Sequence, residues 1–173
     1  MGRSQPEPIT AQLLSRLFAE HAGSLELFAR QYCDSSEDVV QYAFLKLVNA
    51  RATPDDVVPY LYRMVRNRAI STARSEARRD LRERRVAARE EPWFEPTHLE
   101  DLDARAAGET LRTLPQDQRE IIVGHIYGGL TFEELARVMG CSSSTAHRRY
   151  AEALNSLRER IKSPCTEKKN SGS

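Results

Sequence analysis

The stretch TFEELARVMGCSSSTAHRRY, residues 131–150, decides the fold. Thr131 and Glu134 stand in capping-box relation, a hydroxyl three residues ahead of a carboxylate, each able to satisfy an orphan backbone donor at a helix start. The helix they open runs through Leu135, Ala136, Val138 and Met139 to Gly140, where a left-handed backbone can end it. Ser142 or Ser143 then caps a second helix. Two helices across a three-residue turn, with the small Ala136, Gly140 and Ala146 where crossing helices crowd, predict a helix-turn-helix.

In such a unit the second helix lies in the major groove, its early residues facing base edges and phosphates. Ser143, Ser144, Thr145, His147, Arg148 and Arg149 are therefore the candidate DNA contacts, while Tyr150, Leu154, Leu157 and Ile161 continue at apolar spacing on the inward face. Capped helix pairs also occur in bundles that never touch DNA, so the rest of the chain has to be weighed with this segment. Ahead of it, Leu111 to Leu114 reads as a short helical piece ending at Pro115, and Gln118 to Tyr127 as a helix ending at Gly128 and Gly129.

Charge is distributed unevenly along the chain. Over all 173 residues, 26 basic side chains nearly balance 25 acidic ones. Between Tyr60 and Arg89, however, ten arginines face only Glu76, Asp80 and Glu83. Between Glu90 and Glu109, seven acids face Arg105 alone. A basic block with few acidic partners one turn away points to nucleic acid. The acidic stretch holds Pro92 and Pro96 with Trp93 and Phe94, breaks helical periodicity and reads as a linker.

The N-terminal half is also helical. Leu13, Leu14, Leu17, Phe18, Leu25, Leu27 and Phe28 recur at three-and-four spacing, with Gly23 as a candidate break between one helix and two. Ser35 and Ser36 precede acids and a second periodic run, Val40, Ala43, Phe44, Leu47 and Val48. Residues 51–59 read as a loop, and Pro59 suits the first turn of the next helix. That helix turns Leu61, Met64 and Val65 inward, but from Arg74 onward apolar residues nearly vanish. Its far half is not core.

The whole is expected to be all-α: two small helical domains, residues 9–89 and 105–163, joined by an acidic linker at 90–104 and followed by a disordered tail at 164–173. Cys33, Cys141 and Cys165 show no CxxC pair and no histidine at metal-ligand spacing, which suits a reducing cytoplasm and predicts neither disulfide nor metal. Met1 to Pro8 lacks an apolar signal core and no run of 18 apolar residues occurs, so neither secretion nor membrane insertion is expected.

Three segments resemble a known family. Ser36-Glu-Asp-Val-Val-Gln-Tyr-Ala-Phe-Leu-Lys-Leu47 is similar to the region-two helix of extracytoplasmic-function (ECF) RNA polymerase sigma factors of the sigma-70 family, and Pro59-Tyr-Leu-Tyr-Arg-Met-Val-Arg-Asn-Arg-Ala-Ile70 to the promoter-melting helix that follows it. Leu114 through Ile161 is similar to region four. The resemblance implies a sigma factor that binds core RNA polymerase and directs promoter recognition, melting and transcription initiation, with no catalytic residues and no cofactor. Asp38, Gln41 and Tyr42 would dock on the polymerase clamp helices, leaving Val40, Phe44 and Leu47 in the core. Residues 50–58 would hold a base flipped out of the minus-ten element. Arg63, Arg66, Asn67, Arg68, Arg74 and Arg78 would line the opened strand. Region four would lie at the polymerase flap and read the minus-thirty-five element, and the acidic linker would thread the channel normally filled by RNA. An anti-sigma factor is a further partner the resemblance admits. Tyr42 and Ser71 stand where the family often carries acids, and Ala146 is smaller than its usual valine.

Two other readings compete. A conventional helix-turn-helix regulator would use the same C-terminal unit without a sigma role and bind operator DNA alone. A metal-dependent hydrolase would need ligands such as Glu100, Asp101 and Asp103, but these lie in a proline-bearing stretch with no nucleophile or phosphate loop nearby.

Overall fold

The computed structural model describes residues 9–50, 53–83, 111 and 113–162. The expected acidic linker, the end of the basic block and the expected tail lie outside the described residues. Six α-helices are found among them, with no strand: α1 (Ala11–Ala29), α2 (Ser36–Val48), α3 (Val57–Glu83), α4 (Gln116–Ile122), α5 (Phe132–Met139) and α6 (Ser143–Lys162). A π-helical turn, Val123–Tyr127, follows α4 directly.

Local chemistry accounts for most of these boundaries. Thr10 caps α1, its hydroxyl accepting from the Leu13 N–H at 3.2 Å. The helix runs unbroken through Gly23, and a Cβ there would meet nothing within 4 Å. One glycine weakens a helix by about 1 kcal/mol, too little to end one whose Leu17, Leu25 and Phe28 are buried on one face. In α2, Glu37 and Asp38 lie in the first turn and Lys46 in the last, matching the helix dipole. Ser35 precedes α2 without capping it, donating instead to Glu76 of α3 at 3.0 Å. Helix α3 starts at Val57, so Pro59 falls within the first turn, where backbone donors have no helical acceptor.

Sequence periodicity runs the segment before Gly128 as one α-helix, and here the structure differs. The last turn widens, so that the Gly128 N–H reaches Val123 five residues back at 3.1 Å. The widened turn seats Gly124 against the other helices: a Cβ on it would lie 2.6 Å from Leu135 Cδ2 and 3.7 Å from the Phe28 ring. Contact of this kind comes from packing and leaves no trace in local propensity.

Helices α1, α2 and α3 form one bundle, and α4, α5 and α6 a second. The two share a core. Leu25, Phe28, Phe44, Leu61, Tyr62 and Val65 of the first bundle belong to the same buried cluster as Ile121, Leu130, Leu135 and Val138 of the second. Contact runs through α3 against α5 and α1 against the π turn. The Tyr62 hydroxyl donates to Ser24 at 2.9 Å, and its ring end lies so close to Gly128 that a Cβ there would come within 2.6 Å of the oxygen. Burial pushes the Tyr62 hydroxyl up to about 12, so it stays protonated.

Candidate nucleic-acid interface

The helix-turn-helix is built as residues 131–150 dictate. The Thr131 hydroxyl accepts from the Glu134 N–H at 3.3 Å, and the Glu134 carboxylate accepts from the Thr131 N–H at 2.7 Å. Gly140 ends α5 at φ 68°, a left-handed conformation costly for any residue with a Cβ. Ser142 starts α6, its hydroxyl accepting from the Thr145 N–H at 3.1 Å. The Ser143 hydroxyl donates to Glu133 at 3.3 Å and ties the two helices across the turn. Ala136 and Ala146 are buried at the crossing.

Of the six candidates on α6, Ser144, His147 and Arg148 are exposed, and Ser143, Thr145 and Arg149 are half-buried. Arg148 pairs along the helix with Glu152 at 2.7 Å, an exposed pair that constrains it little. His147 meets Phe132 edge-on, ring centroids 5.1 Å apart. Arg149 turns the other way and pairs with Asp117 of α4 at 3.1 Å. The exposed face thus centres on Ser144, His147 and Arg148.

The candidate set on α3 splits into three environments. Arg63, Asn67, Arg74 and Arg78 are exposed and fall on one stripe at helical spacing, long enough to track a nucleic-acid strand. Arg68 lies off that stripe, its guanidinium over the Tyr42 ring at 4.6 Å from the centroid. Arg66 points inward and pairs with Glu120 of α4 at 2.9 Å. Glu120 is only 3% exposed, and periodicity gave no sign of it because a carboxylate on a helix is ordinarily solvated. Burial works against the Arg66 charge, but the hydrogen bond and charge of Glu120 outweigh it and raise its pKa. The Tyr32 hydroxyl is buried beside the pair, and desolvation followed by the Glu120 charge pushes its pKa far up. Removing one partner of such a buried pair costs on the order of 3–5 kcal/mol, because the other is left uncompensated. An open cleft of about 530 Å³ runs alongside, lined by Arg66 and Arg74 from α3 and by Gln116 and Asp117 from α4.

A second face lies on α2. Asp38, Gln41 and Tyr42 are exposed together, opposite the buried Val40, Phe44 and Leu47. Leu45, 62% exposed, and Val48 share that outer face, with the exposed Phe18 of α1 beside Phe44 at 5.1 Å. The sequence reading passed over Leu45 and set Val48 in the apolar run with Phe44 and Leu47, whereas the structure exposes both. The available signal was a helix carrying apolar residues on both faces, more than one core can bury. Residues 53–58 lead into α3 at one end of the bundle, and there Asp56 pairs with Arg137 of α5.

Comparison with known proteins places these faces in context. The model of sigma-70 region 2 matches residues 17–79 and that of sigma-70 region 4 matches residues 104–157. The ECF RNA polymerase sigma factor SigK of Mycobacterium tuberculosis is 31% identical over 133 residues, spanning 71% of this chain and 70% of that one. The ECF RNA polymerase sigma-E factor of Haemophilus influenzae is 26% identical over 163 residues, 86% of this chain and 85% of that one. A probable RNA polymerase sigma factor of Xanthomonas campestris, RfaY, is 29% identical over 136 residues, which are 73% of this chain but only 34% of that longer protein. Among solved structures, the sigma factor RpoE bound to the anti-sigma factor NepR from Bartonella quintana superposes with a TM-score of 0.72 at 25% identity, covering 90% of this chain and all of that one. CnrH in complex with the cytosolic domain of CnrY has the same fold, with a TM-score of 0.62 at 23% identity over 90% of this chain and 92% of that one.

Proposed function

The chain belongs to the ECF sigma factors of the sigma-70 family, and from that premise we propose how its surfaces divide the work of transcription initiation. The outer face of α2, Asp38, Gln41 and Tyr42 with the apolar Leu45 and Val48, docks on the clamp helices of core RNA polymerase. An exposed apolar strip rimmed by polar groups is the composition of a protein-binding face. The Arg63, Asn67, Arg74 and Arg78 stripe, joined by Arg66 and Arg68, follows the strand opened at the minus-ten element, and residues 50–58 take up a flipped base. Ser144, His147 and Arg148, with Ser143, Thr145 and Arg149 beside them, face the minus-thirty-five element from a unit that also contacts the flap.

The reading extends to organisation. Residues 9–89 and 105–163 act as separate units once on polymerase, the acidic residues 90–104 thread the RNA channel, and residues 164–173 form a tail. Among the described residues no helix is long and apolar enough to cross a membrane, and the proposed place of action is the cytoplasm, where polymerase works. The protein takes no cofactor and carries out no catalysis itself. An anti-sigma factor is a proposed partner, because RpoE of Bartonella quintana takes one in the same fold.

The single observation that supports this most is the presence of both sigma regions, in order, in one chain. A helix-turn-helix regulator accounts for the second and leaves the first without a use. Adding the purified chain to core polymerase is expected to give transcription from a subset of promoters in a genomic library, while the chain alone binds promoter duplex poorly. Absence of promoter-dependent transcription would sink the reading.

A further inference from the structure

The open cleft of about 530 Å³ between the end of α1, the middle of α3 and the start of α4 falls within the size range of small-ligand sites, roughly 300–1,000 Å³. Its walls carry more cationic donors than the protein uses. Arg66 gives only its Nε to Glu120, and its terminal nitrogens pair with no second carboxylate among the described residues. Arg74, eight residues on and so roughly 12 Å along the helix axis, is exposed and has no carboxylate partner among the described residues. Asp117, which faces them, is already paired with Arg149 of its own bundle. The occupant such a wall selects is an anion. Ile70 and Ala73 lie between the two arginines on the same helix face and give the cleft an apolar floor, which a small inorganic anion would leave uncovered.

The inner wall adds a second requirement. Gln31 lines the cleft, and both its amide atoms are buried with no hydrogen-bond partner among the described residues. An amide left in that state is destabilising, and it sits at the end of a side chain with three torsions, able to turn toward the cleft without backbone movement. A glutamine amide presents a donor and an acceptor side by side, the pair that matches N7 and the N6 amino group of adenine. We propose that this cleft binds an adenine nucleotide, its base edge on the Gln31 amide, its flat face on Ile70 and Ala73, and its phosphates between the guanidinium groups of Arg66 and Arg74. Both arginines belong to the strand set proposed above, so a bound nucleotide covers two residues of that set. This consequence rests on that reading; the site itself does not.

The test is calorimetric titration of the full-length chain, free of polymerase, with ADP, GDP and inorganic pyrophosphate at one low salt concentration. ADP is expected to saturate one site per chain, and GDP and pyrophosphate to bind about tenfold or more weakly. Gln31→Leu should lower ADP affinity to the level of GDP and leave pyrophosphate as it is. Arg74→Ala should weaken ADP and pyrophosphate alike. Arg79→Ala removes an exposed charge from the same helix outside the cleft and should leave ADP affinity unchanged. Equal affinity for the three ligands, or equal losses with Arg74→Ala and Arg79→Ala, would reduce the binding to general attraction by a basic helix and refute the site. Absence of saturable ADP binding would refute it as well. Should Gln31→Leu fail to fold, the wild-type chain decides: ADP is expected to shift the amide resonances of Gln31, Ile70 and Ala73 more than those of Ser144 and His147, and the reverse pattern would overturn the proposal. Promoter-dependent transcription on core polymerase enters none of these readouts, so failure of the site and failure of the sigma role give different results.

Discussion

The Arg68 guanidinium lies over the ring of Tyr42, 4.6 Å from its centroid, with Lys46 approaching the same ring at 5.6 Å. A residue of the proposed polymerase face and one of the proposed DNA face thus form one contact between α2 and α3. Cation–π contacts at exposed sites contribute about 0.5–1 kcal/mol. In urea unfolding, Tyr42→Ala and Arg68→Ala should show a coupling of about that size in a double-mutant cycle, and Tyr42→Phe should retain it. Strict additivity of the two alanine variants would show that the stacking contributes nothing.

Gly128 supplies space for Tyr62. A Cβ there would meet the Gly124 carbonyl oxygen at 2.5 Å as well as the Tyr62 hydroxyl, and backbone cannot give way as a side-chain end can. Gly128→Ala is expected to cost about 1–3 kcal/mol. Gly124→Ala, which meets chiefly the flexible end of Leu135, should cost less. Thermal unfolding of the two variants side by side checks the order, and the reverse ranking would contradict the packing described.

Gly23 offers the opposite case. It lies mid-helix with open space around its α-carbon, so Gly23→Ala should stabilise the chain by about 0.5–1 kcal/mol, chiefly by restricting the unfolded state. A fall in the denaturation midpoint would mean that α1 bends or opens at this point.

Burial, then the Glu76 carboxylate, pushes the Cys33 thiol up to about 11. The folded value lies above that of an unfolded thiol, about 8.5, so the associated stability is fully present below that pH and is lost as pH rises toward 11. Peptide-resolved alkylation near pH 8 should label Cys33 on the order of 100-fold more slowly than a urea-unfolded control. Comparable rates would place the thiol in an accessible environment.

The two helices proposed to face DNA should fail at different steps. In holoenzyme, Arg148→Ala is expected to remove contacts worth about 1–3 kcal/mol from closed-complex affinity. Arg74→Ala with Arg78→Ala should instead slow strand opening and leave duplex affinity closer to wild type. Gel shift reports the first step and permanganate footprinting the second, both at one salt concentration, since phosphate contacts make every affinity salt-dependent. Equal impairment of one step by both sets would refute the division.

Local chemistry made much of this legible. The capping box at Thr131, the left-handed Gly140 and the start of α6 depend on residues within a few positions of one another, and sequence displays such relations directly. The exposed face of α2 followed from period alone. What escaped was non-local. The inward turn of Arg66 depends on Glu120, 54 residues away, and the stacking of Arg68 depends on a neighbouring helix. Composition marks Arg66, Arg68 and Arg74 as equivalent basic residues, and only packing separates them. The π turn belongs with these, since Gly124 and Gly128 are breakers by propensity and contact surfaces by position.

The continuous core joining the two bundles has a thermal consequence. Separating them would bring Phe28, Tyr62, Leu130 and Leu135 into water, and hydration of apolar surface raises heat capacity. Closure held by such a seam weakens on cooling, because the hydrophobic contribution fades while the conformational freedom gained on opening remains. The hold of one bundle on the other accordingly varies with growth temperature, with no change in any partner's concentration.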